Sequence, residues 1–497
     1  MSSKQPSWTL GGRGTRGVAR IGALLALTFA AAGIAQAQTA ASAPPKAEDS
    51  SITWKGITLY GIVDIGLTYQ THGAPASDYF PNGTYSVIQK YHNDHSVTAV
   101  TPSNLAQTRI GLSGNEPIAG DWAGVFRLET FFSPQSGNLS DALKALALNN
   151  GKALSTYTTG SDSSVAGQAF AGAAYAGFSS PTFGTITFGR HVTPLADGIA
   201  KYDPMGASQS FSLIGESGTT AGAGDTENRR LDQSLKYTLK YNWLHAGALY
   251  QFSGATGSTN TAVQVTLGAE YLGLSIDGYY GKKYNAVAAN SLSAGQVASL
   301  QNNCTASITP PAAASAQCYS VSNSLAGTIS DNTVWSVMGL YNFGAVKVYA
   351  GYEHVSFANP KNLYEPGQTI IGGYVLAFVN NTAFPNDKIL QIFWAGAKWT
   401  PTPALDLTVA YYGYKQDAYG TGADAGCSSV AHGTCSGTEN VASVLADYRL
   451  SKRFDVYIGS IWSEVKDGLA NGFLLTSDNT TSTASTITTT AGLRFKF

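Results

Sequence analysis

The chain is short of charge. Asp, Glu, Lys and Arg make up 12% of its 497 residues, about half of the roughly 25% usual in soluble domains. Beyond its first few dozen residues there is no apolar run long enough to cross a bilayer as a helix, which takes about 20 residues. No concentrated block of basic residues stands out, which argues against nucleic acid as a partner. No unit recurs at fixed spacing, which excludes a solenoid or a propeller. With only seven histidines and four cysteines, there is little material for metal chemistry, and no metal or cofactor is expected.

What is present begins with a targeting segment. Lys4, Arg13, Arg16 and Arg20 form a basic, acid-free start, Ile21 to Ile34 is a short apolar run, and Ala35, Gln36 and Ala37 make a small-x-small cleavage site. Residues 1–37 read as a secretory signal peptide. Without it, 26 of the 30 Lys and Arg remain against 31 Asp and Glu, a net charge of −5. Residues 38–55 read as an Ala/Pro-rich leader. The cysteines fall in two local pairs, Cys304 with Cys318 and Cys427 with Cys435, each in a polar stretch. In an exported chain they are disulfide candidates, each closing a short loop.

The chain carries 55 glycines and 27 tyrosines, and over the remaining residues, 56–497, apolar residues alternate with polar ones. Alternating runs separated by turn signals occur near 56–70, 106–116, 121–133, 169–179, 183–191, 232–242, 244–253, 261–271, 273–283, 333–343, 345–356, 388–399, 404–415, 440–450, 453–464 and 486–497. The connections alternate short and long. Short ones include 115–120, 180–182, 242–243, 272–273, 343–344, 400–403 and 450–452. Long ones run near 71–105, 134–168, 192–231, 284–332, 357–387, 416–439 and 465–485, with a modest one at 254–260. Tight turns at one end and large loops at the other predict an all-β transmembrane antiparallel barrel of 16 strands. A Greek-key sandwich has no reason to sort its loops this way.

The faces agree. Val346, Val348, Ala350 and Tyr352 alternate with Lys347, Tyr349, Gly351 and Glu353. Leu405, Leu407, Val409 and Tyr411 alternate with Asp406, Thr408, Ala410 and Tyr412. Arg127 and Glu129 share the face opposite Phe126 and Leu128. Charges are cheap beside a watery lumen, whereas a Lys or Arg facing mid-bilayer lipid costs about 2–4 kcal/mol. Tyr271, Tyr279, Tyr280, Tyr341, Phe343, Trp399 and Trp462 gather near strand ends and are candidates for interfacial girdles. The last strand, 486–497, puts Ile487, Thr489, Ala491, Leu493, Phe495 and Phe497 on one face. It must pair with 56–70, because an open sheet edge cannot stand in lipid.

Five stretches in order along the chain carry a family resemblance: I-T-L-Y-G-I-V-D-I-G at 57–66, T-R-I-G-L-S-G-N-E at 108–116, F-G-T-I-T-F-G-R at 183–190, L-D-Q-S-L-K-Y at 231–237, and the terminal Phe497. With them the chain resembles the sixteen-stranded general-diffusion porins of Gram-negative outer membranes, especially the β-proteobacterial branch. The resemblance implies a non-enzymatic, cofactor-free channel for passive diffusion of ions and small hydrophilic solutes. It further implies a homotrimer in contact with outer-membrane lipid and lipopolysaccharide, assembled by the barrel-assembly machinery that reads Phe497. It implies that the third long loop, 192–231, folds into the lumen, so that acids on the loop face a basic wall. The loop offers Asp197, Asp203, Glu216, Asp225 and Glu227; the wall offers Arg109, Arg127, Arg229, Arg230 and Lys236. Arg190 departs from the pattern. It falls on the outward parity of its strand, so a bulge or an early strand end is needed.

Three other readings compete. A substrate-specific outer-membrane channel would show saturable transport. A barrel enzyme would need a reactive set at the rim. The only cluster that invites one is His92, Asn93, Asp94 and His95, which sits in a loop without a helix to align it. Residues 214–218, I-G-E-S-G, lack the G-x-S-x-G spacing of a nucleophile elbow. A soluble adhesin would need neither the closing alternation nor the terminal Phe.

Overall fold

The computed structural model describes residues 52–75, 77–79, 94–153, 156–158, 164, 167–216, 229–254, 261–306, 319–364, 370–371, 373–420, 435–470 and 483–497. Among these, the strands in chain order are β1 (Ile52–Trp54), β2 (Ile57–Gln70), β3 (Val97–Pro102), β4 (Arg109–Ala119), β5 (Trp122–Phe131), β6 (Ala173–Ser180), β7 (Gly184–Val192), β8 (Arg230–Tyr241), β9 (Leu244–Gln251), β10 (Ala262–Tyr271), β11 (Leu274–Asn290), β12 (Leu325–Asn342), β13 (Val346–Ala358), β14 (Ile370–Ile371), β15 (Tyr374–Asn380), β16 (Lys388–Thr402), β17 (Leu405–Gln416), β18 (Gly437–Arg449), β19 (Phe454–Asp467) and β20 (Thr483–Lys496). Among the described residues, three α-helices lie in the long loops: α1 (Ala142–Ala147), α2 (Pro194–Tyr202) and α3 (Ala294–Ala306).

The wall is a closed antiparallel barrel of 16 strands. Its second position is filled by β3 and β4 together. β3 pairs with the far half of β2, Gln70↔Val97 to Ile65↔Pro102. β4 pairs with the near half, Ile62↔Arg109 to Ile57↔Gly114. The sequence places only the β4 half as a strand. Between the halves, Asp64 captures the backbone N–H groups of Leu105 (2.8 Å) and Ala106 (2.9 Å), drawing the chain out of the ladder. Pro102 has no N–H to continue the ladder. β14 and β15 stand outside the ring, and β15 runs parallel to the outer end of β12. β11 and β12 extend well beyond their expected ends, so much of the loop expected at 284–332 is a projecting hairpin that carries α3.

Outward-facing apolar side chains such as Leu67, Ile110, Phe188, Leu267, Val409, Val444 and Ile458 are exposed, as lipid contact requires. Tyr271, Tyr280, Tyr341, Phe343, Trp399 and Trp462 are exposed among them. Tyr279 is a correction to the girdle. It is buried and points inward, where its hydroxyl donates to Asp277 at 2.8 Å.

The barrel closes as the alternation demands. β20 pairs with β19 and, from Ile62↔Lys496 to Gln70↔Thr488, with β2. Past the end of β20, the Phe497 N–H donates to the Gly61 carbonyl (3.1 Å) and the Gly61 N–H donates to the Phe497 carbonyl (2.9 Å). β1 folds back on the start of β2, Trp54↔Ile57 to Ile52↔Leu59. The reversal runs through Lys55 and Gly56, both in the left-handed region at φ 46° and 77°, as a tight hairpin turn needs.

Candidate functional site: the lumen constriction

α2 starts the inward loop. Thr193 caps it by accepting from the Ala196 N–H, and Pro194 fits the first turn, where no N–H is needed. Leu195, Ile199 and Tyr202 recur at helical spacing and are buried. From α2 the chain follows the inside of the wall. Leu195 N–H donates to Gln264 on β10. Tyr202 shares a hydrogen bond with Ser275 on β11 (2.7 Å), and its carbonyl accepts from Trp394 Nε1 on β16 (3.0 Å). Asp203 accepts from the Tyr412 hydroxyl on β17. Phe211 meets the Tyr457 ring of β19 edge-on at 6.3 Å. Ser210 bonds Asn104 through both backbone and hydroxyl. The loop returns where the Thr193 N–H donates to the Arg229 carbonyl (3.0 Å).

This path explains why a polar inner wall is found on only part of the circumference. Val334, Met338, Val355, Leu390, Ile392, Trp394, Val441 and Ile461 all face inward on β12 to β19 and are buried with Leu195, Ile199, Tyr202, Met205, Phe211 and Ile214 of the loop. Strand parity assigns these residues to the inside; it carries no signal that a loop covers them. Fully burying a side chain of this size contributes about 1.5–3 kcal/mol, so the loop is a packed layer fixed to one side of the barrel.

The opposite side, β2 to β8, carries the expected arginines. Glu129, almost fully buried, offers Oε2 to Arg127 Nη2 (2.8 Å), Arg109 Nε (3.5 Å) and the Tyr60 hydroxyl (3.0 Å). Arg127 Nε also donates to Tyr60 Oη (2.7 Å). Arg230 donates to Gln107 Oε1 (3.0 Å) and lies over the Phe131 ring, 4.5 Å from its centre. Arg109 and Arg127 thus meet at Glu129, and Arg230 lies near enough to act on its charge, around a carboxylate that the sequence reading did not single out as a site. The signal was present: Tyr60, Glu129 and the arginines have inward parity on neighbouring strands.

The other expected residues divide. Arg229 donates to the Gly215 carbonyl and ties the loop to the wall. Lys236 pairs with Asp197 of α2 and donates to the Val192 carbonyl (2.8 Å). These two form an ion pair at the root of the loop instead of facing each other across open water. Asp203 is a correction to the acidic face. At 2% exposure it accepts from Tyr412, Met205 N–H (3.1 Å) and Ala207 N–H (2.7 Å), and so anchors the loop away from the lumen. Glu216 closes the short 3-10 turn Ile214–Glu216. Asp225 and Glu227 lie outside the described residues, as do His92 and Asn93. Cys304 lies in α3; Cys435 is buried and disulfide-bonded, and Cys318 and Cys427 fall outside the described residues.

Arg190 keeps the outward parity of its strand: it pairs with Ala174, while His191 beside it bonds Thr187 (2.9 Å) and Ser234 (2.8 Å) on the inner face. The neighbouring strand carries a bulge at this point. Gly189 pairs with Ser234 and His191 with Leu231, so β8 carries one residue more than β7 over this step. Gly189 at φ 139° and Gln233 at φ 52° take up the kink. Arg190 forms an ion pair with Asp232 (2.5 Å) and donates to the Ala171 carbonyl (2.9 Å).

Below α2 a cavity of about 650 Å³ opens along β4 to β11, lined by Asp197, Lys201, Lys236, Lys240, His245 and Asp277, among others. Lys201 bonds Glu270 (2.7 Å), and His245 Nε2 lies 2.5 Å from Asp277 Oδ1. Asp121 and Ser180 join two short turns at its edge (2.7 Å). The Ser180 hydroxyl holds the Asp121 carboxyl below its ordinary value. Sequence reasoning missed Lys201, which α2 carries inward, and His245, Glu270 and Asp277, which strand parity alone could have placed inside.

The geometry is that of a constricted channel, and comparisons with known proteins agree. The family model for Gram-negative porins matches residues 23–468. An anion-selective porin from Comamonas acidovorans has a similar fold, with TM-score 0.54 at 15% identity over 89% of this chain and 99% of that one. In-vitro folded OmpT, an outer membrane protein of Vibrio cholerae, gives 0.51 at 11% identity over 90% and 100%. Its trimer form gives 0.52 at 11% over 89% and 99%. No curated protein sequence matches. The chain belongs to the Gram-negative porin family, as a β-barrel of the outer membrane.

Proposed function

We propose that this porin, a channel for diffusion of solutes, passes small hydrophilic solutes passively and favours anions. The observation that carries the preference is the convergence of Arg109, Arg127 and Arg230 on the single carboxylate of Glu129. Arg190 and Asp232 add a neutral pair, and so do Lys236 and Asp197, so the wall keeps an excess of positive charge where the loop narrows the lumen. Such a field raises the local concentration of anions and lowers that of cations.

The proposed assembly is a homotrimer, in line with the trimer form of the Vibrio cholerae protein of similar fold. The proposed mature chain starts after residue 37, and Phe497 is proposed as the mark read during assembly. Its pairing with Gly61 at the seam supports that role. We read the chain as a channel and not an enzyme.

The test is the reversal potential of the purified protein in a planar bilayer across a KCl gradient. A potential of the sign set by chloride supports the reading. A potential of the sign set by potassium overturns the preference, and flux that saturates with one solute class points to a specific channel instead.

A further inference from the structure

The loop that follows β5 crosses the outer mouth. β5 holds the third position in the ring and β12 the tenth, nearly opposite each other in a ring of sixteen. Residues 132–139 turn back on themselves, with Phe132 bridging Leu139, and the Ser140 N–H returns to the Phe131 carbonyl (2.9 Å). From there α1 leaves the wall and packs Leu143, Leu146 and Ala147 against Ala289 of β11, Leu325 and Ile329 of β12, and Tyr374 and Leu376 of β15. The chain reaches that contact only by passing over the opening.

The far end is clipped by one side chain. Asn150 Nδ2 donates to the carbonyls of Val321 and Ser324, both at 2.7 Å, and its Oδ1 accepts from Leu292 N–H at 2.7 Å. Gly151 N–H donates to the Leu292 carbonyl (2.9 Å), and Ser291 Oγ donates to the Leu146 carbonyl (2.7 Å). Gly151 sits at φ 70°, which lets the chain turn back at the clip. The near end is held by Asp141 N–H donating to the Tyr79 carbonyl (2.8 Å) and Ser136 Oγ donating to the Asp78 carbonyl (2.8 Å). The Asp141 carboxylate caps α1 through Lys144 N–H (2.8 Å). A long surface loop with this many fixed partners is a built element.

We propose that residues 140–151 form a strap across the outer mouth, latched by Asn150 and Leu146, and that this strap is a size filter in series with the inner constriction. It rests on the porin reading. A solute entering from outside first passes beside the strap, so the strap discriminates by bulk, whereas the arginine wall discriminates by charge.

The test uses the full-length protein purified from outer membranes, with Asn150→Ala and Leu146→Asp. Trypsin reports release, because Lys144 and Lys152 flank the latch. The expected result is new cleavage there, a larger single-channel conductance in KCl, and liposome swelling that speeds up about twofold or more for a trisaccharide relative to a monosaccharide. The KCl reversal potential stays unchanged. Cleavage without any change in conductance or in the swelling ratio overturns the filter. Persistent resistance to trypsin in both variants overturns the latch. A wild-type protein that forms no channel is a failure of the porin reading and is seen before any variant is made.

Discussion

The Tyr412 hydroxyl donates to Asp203 Oδ1 at 2.5 Å, joining residues 209 positions apart in the chain. Both are buried to 2% exposure or less. The bond fixes the end of α2 to β17, on the far side of the lumen from the strands that give rise to the loop. Tyr412→Phe removes the donor and leaves a buried carboxylate short of a partner, which costs about 1–3 kcal/mol. The wall itself keeps all its ladder bonds. The expected outcome is a barrel with unchanged heat-modifiable gel mobility whose single-channel current flickers more. Quiet current at wild-type level would show that the loop is held without this bond.

Gly198 fixes how closely α2 approaches β11. A Cβ there would lie 2.4 Å from the Tyr279 hydroxyl, which is itself held by Asp277. Gly198→Ala must push the helix towards the open lumen, and conductance should fall. The ring's Cζ would lie 2.5 Å away as well, so adding Tyr279→Ala, which removes ring and hydroxyl together, should restore part of it. Equal conductance in Gly198→Ala and wild type would count against this contact as the one that sets the loop's depth.

The charge argument gives substitutions of opposite sign. Glu129→Gln takes away the carboxylate shared by Arg109 and Arg127, so the anion preference should rise. Arg109→Gln with Arg127→Gln should lower it. The reversal potential in a KCl gradient reads both, and a shift in the same direction for the two variants would show that the selectivity arises elsewhere. Added salt should shrink both shifts, since the Debye length falls from about 10 Å at 0.1 M to about 3 Å at 1 M.

Much of this architecture was legible from alternation. Each of the sixteen expected runs corresponds to a position in the ring, and the closing pairing of the last strand with β2 follows from the same rule. Parity also located Arg127, Glu129 and Lys236 inside and Arg190 on the outward face, where its pairing with Ala174 keeps it. What parity does not carry is the third body. Leu390, Ile392 and Trp394 have inward positions on a strand whose alternation is weak, and only the loop lying on them explains why they are apolar. Asp203 read as a pore acid because a carboxylate on an inserted loop looks available in sequence; its partner Tyr412 lies too far along the chain to suggest otherwise. The strap was out of reach for the same reason. Asn150 meets Leu292, Val321 and Ser324 across a gap that no local pattern spans.

The seam offers the sharpest test of assembly. Phe497 lays its ring over Gly61, where a Cβ would come within 2.3 Å of Phe497 Cζ and 2.8 Å of the Arg109 carbonyl oxygen. The same ring neighbours Phe495, 6.2 Å between centres. Gly61 therefore leaves the closing ring room to lie against β2. Phe497→Ala and Gly61→Val should each slow conversion to the heat-modifiable folded form and reduce the amount recovered in the outer membrane. If the ring and the glycine act through their mutual contact, the double variant should lose less than the sum of the single losses. The Arg109 carbonyl leaves a residual cost of Gly61→Val even without the ring. Strict additivity would mean that the two residues serve the seam independently, with Phe497 acting through its backbone pairing and not through its ring.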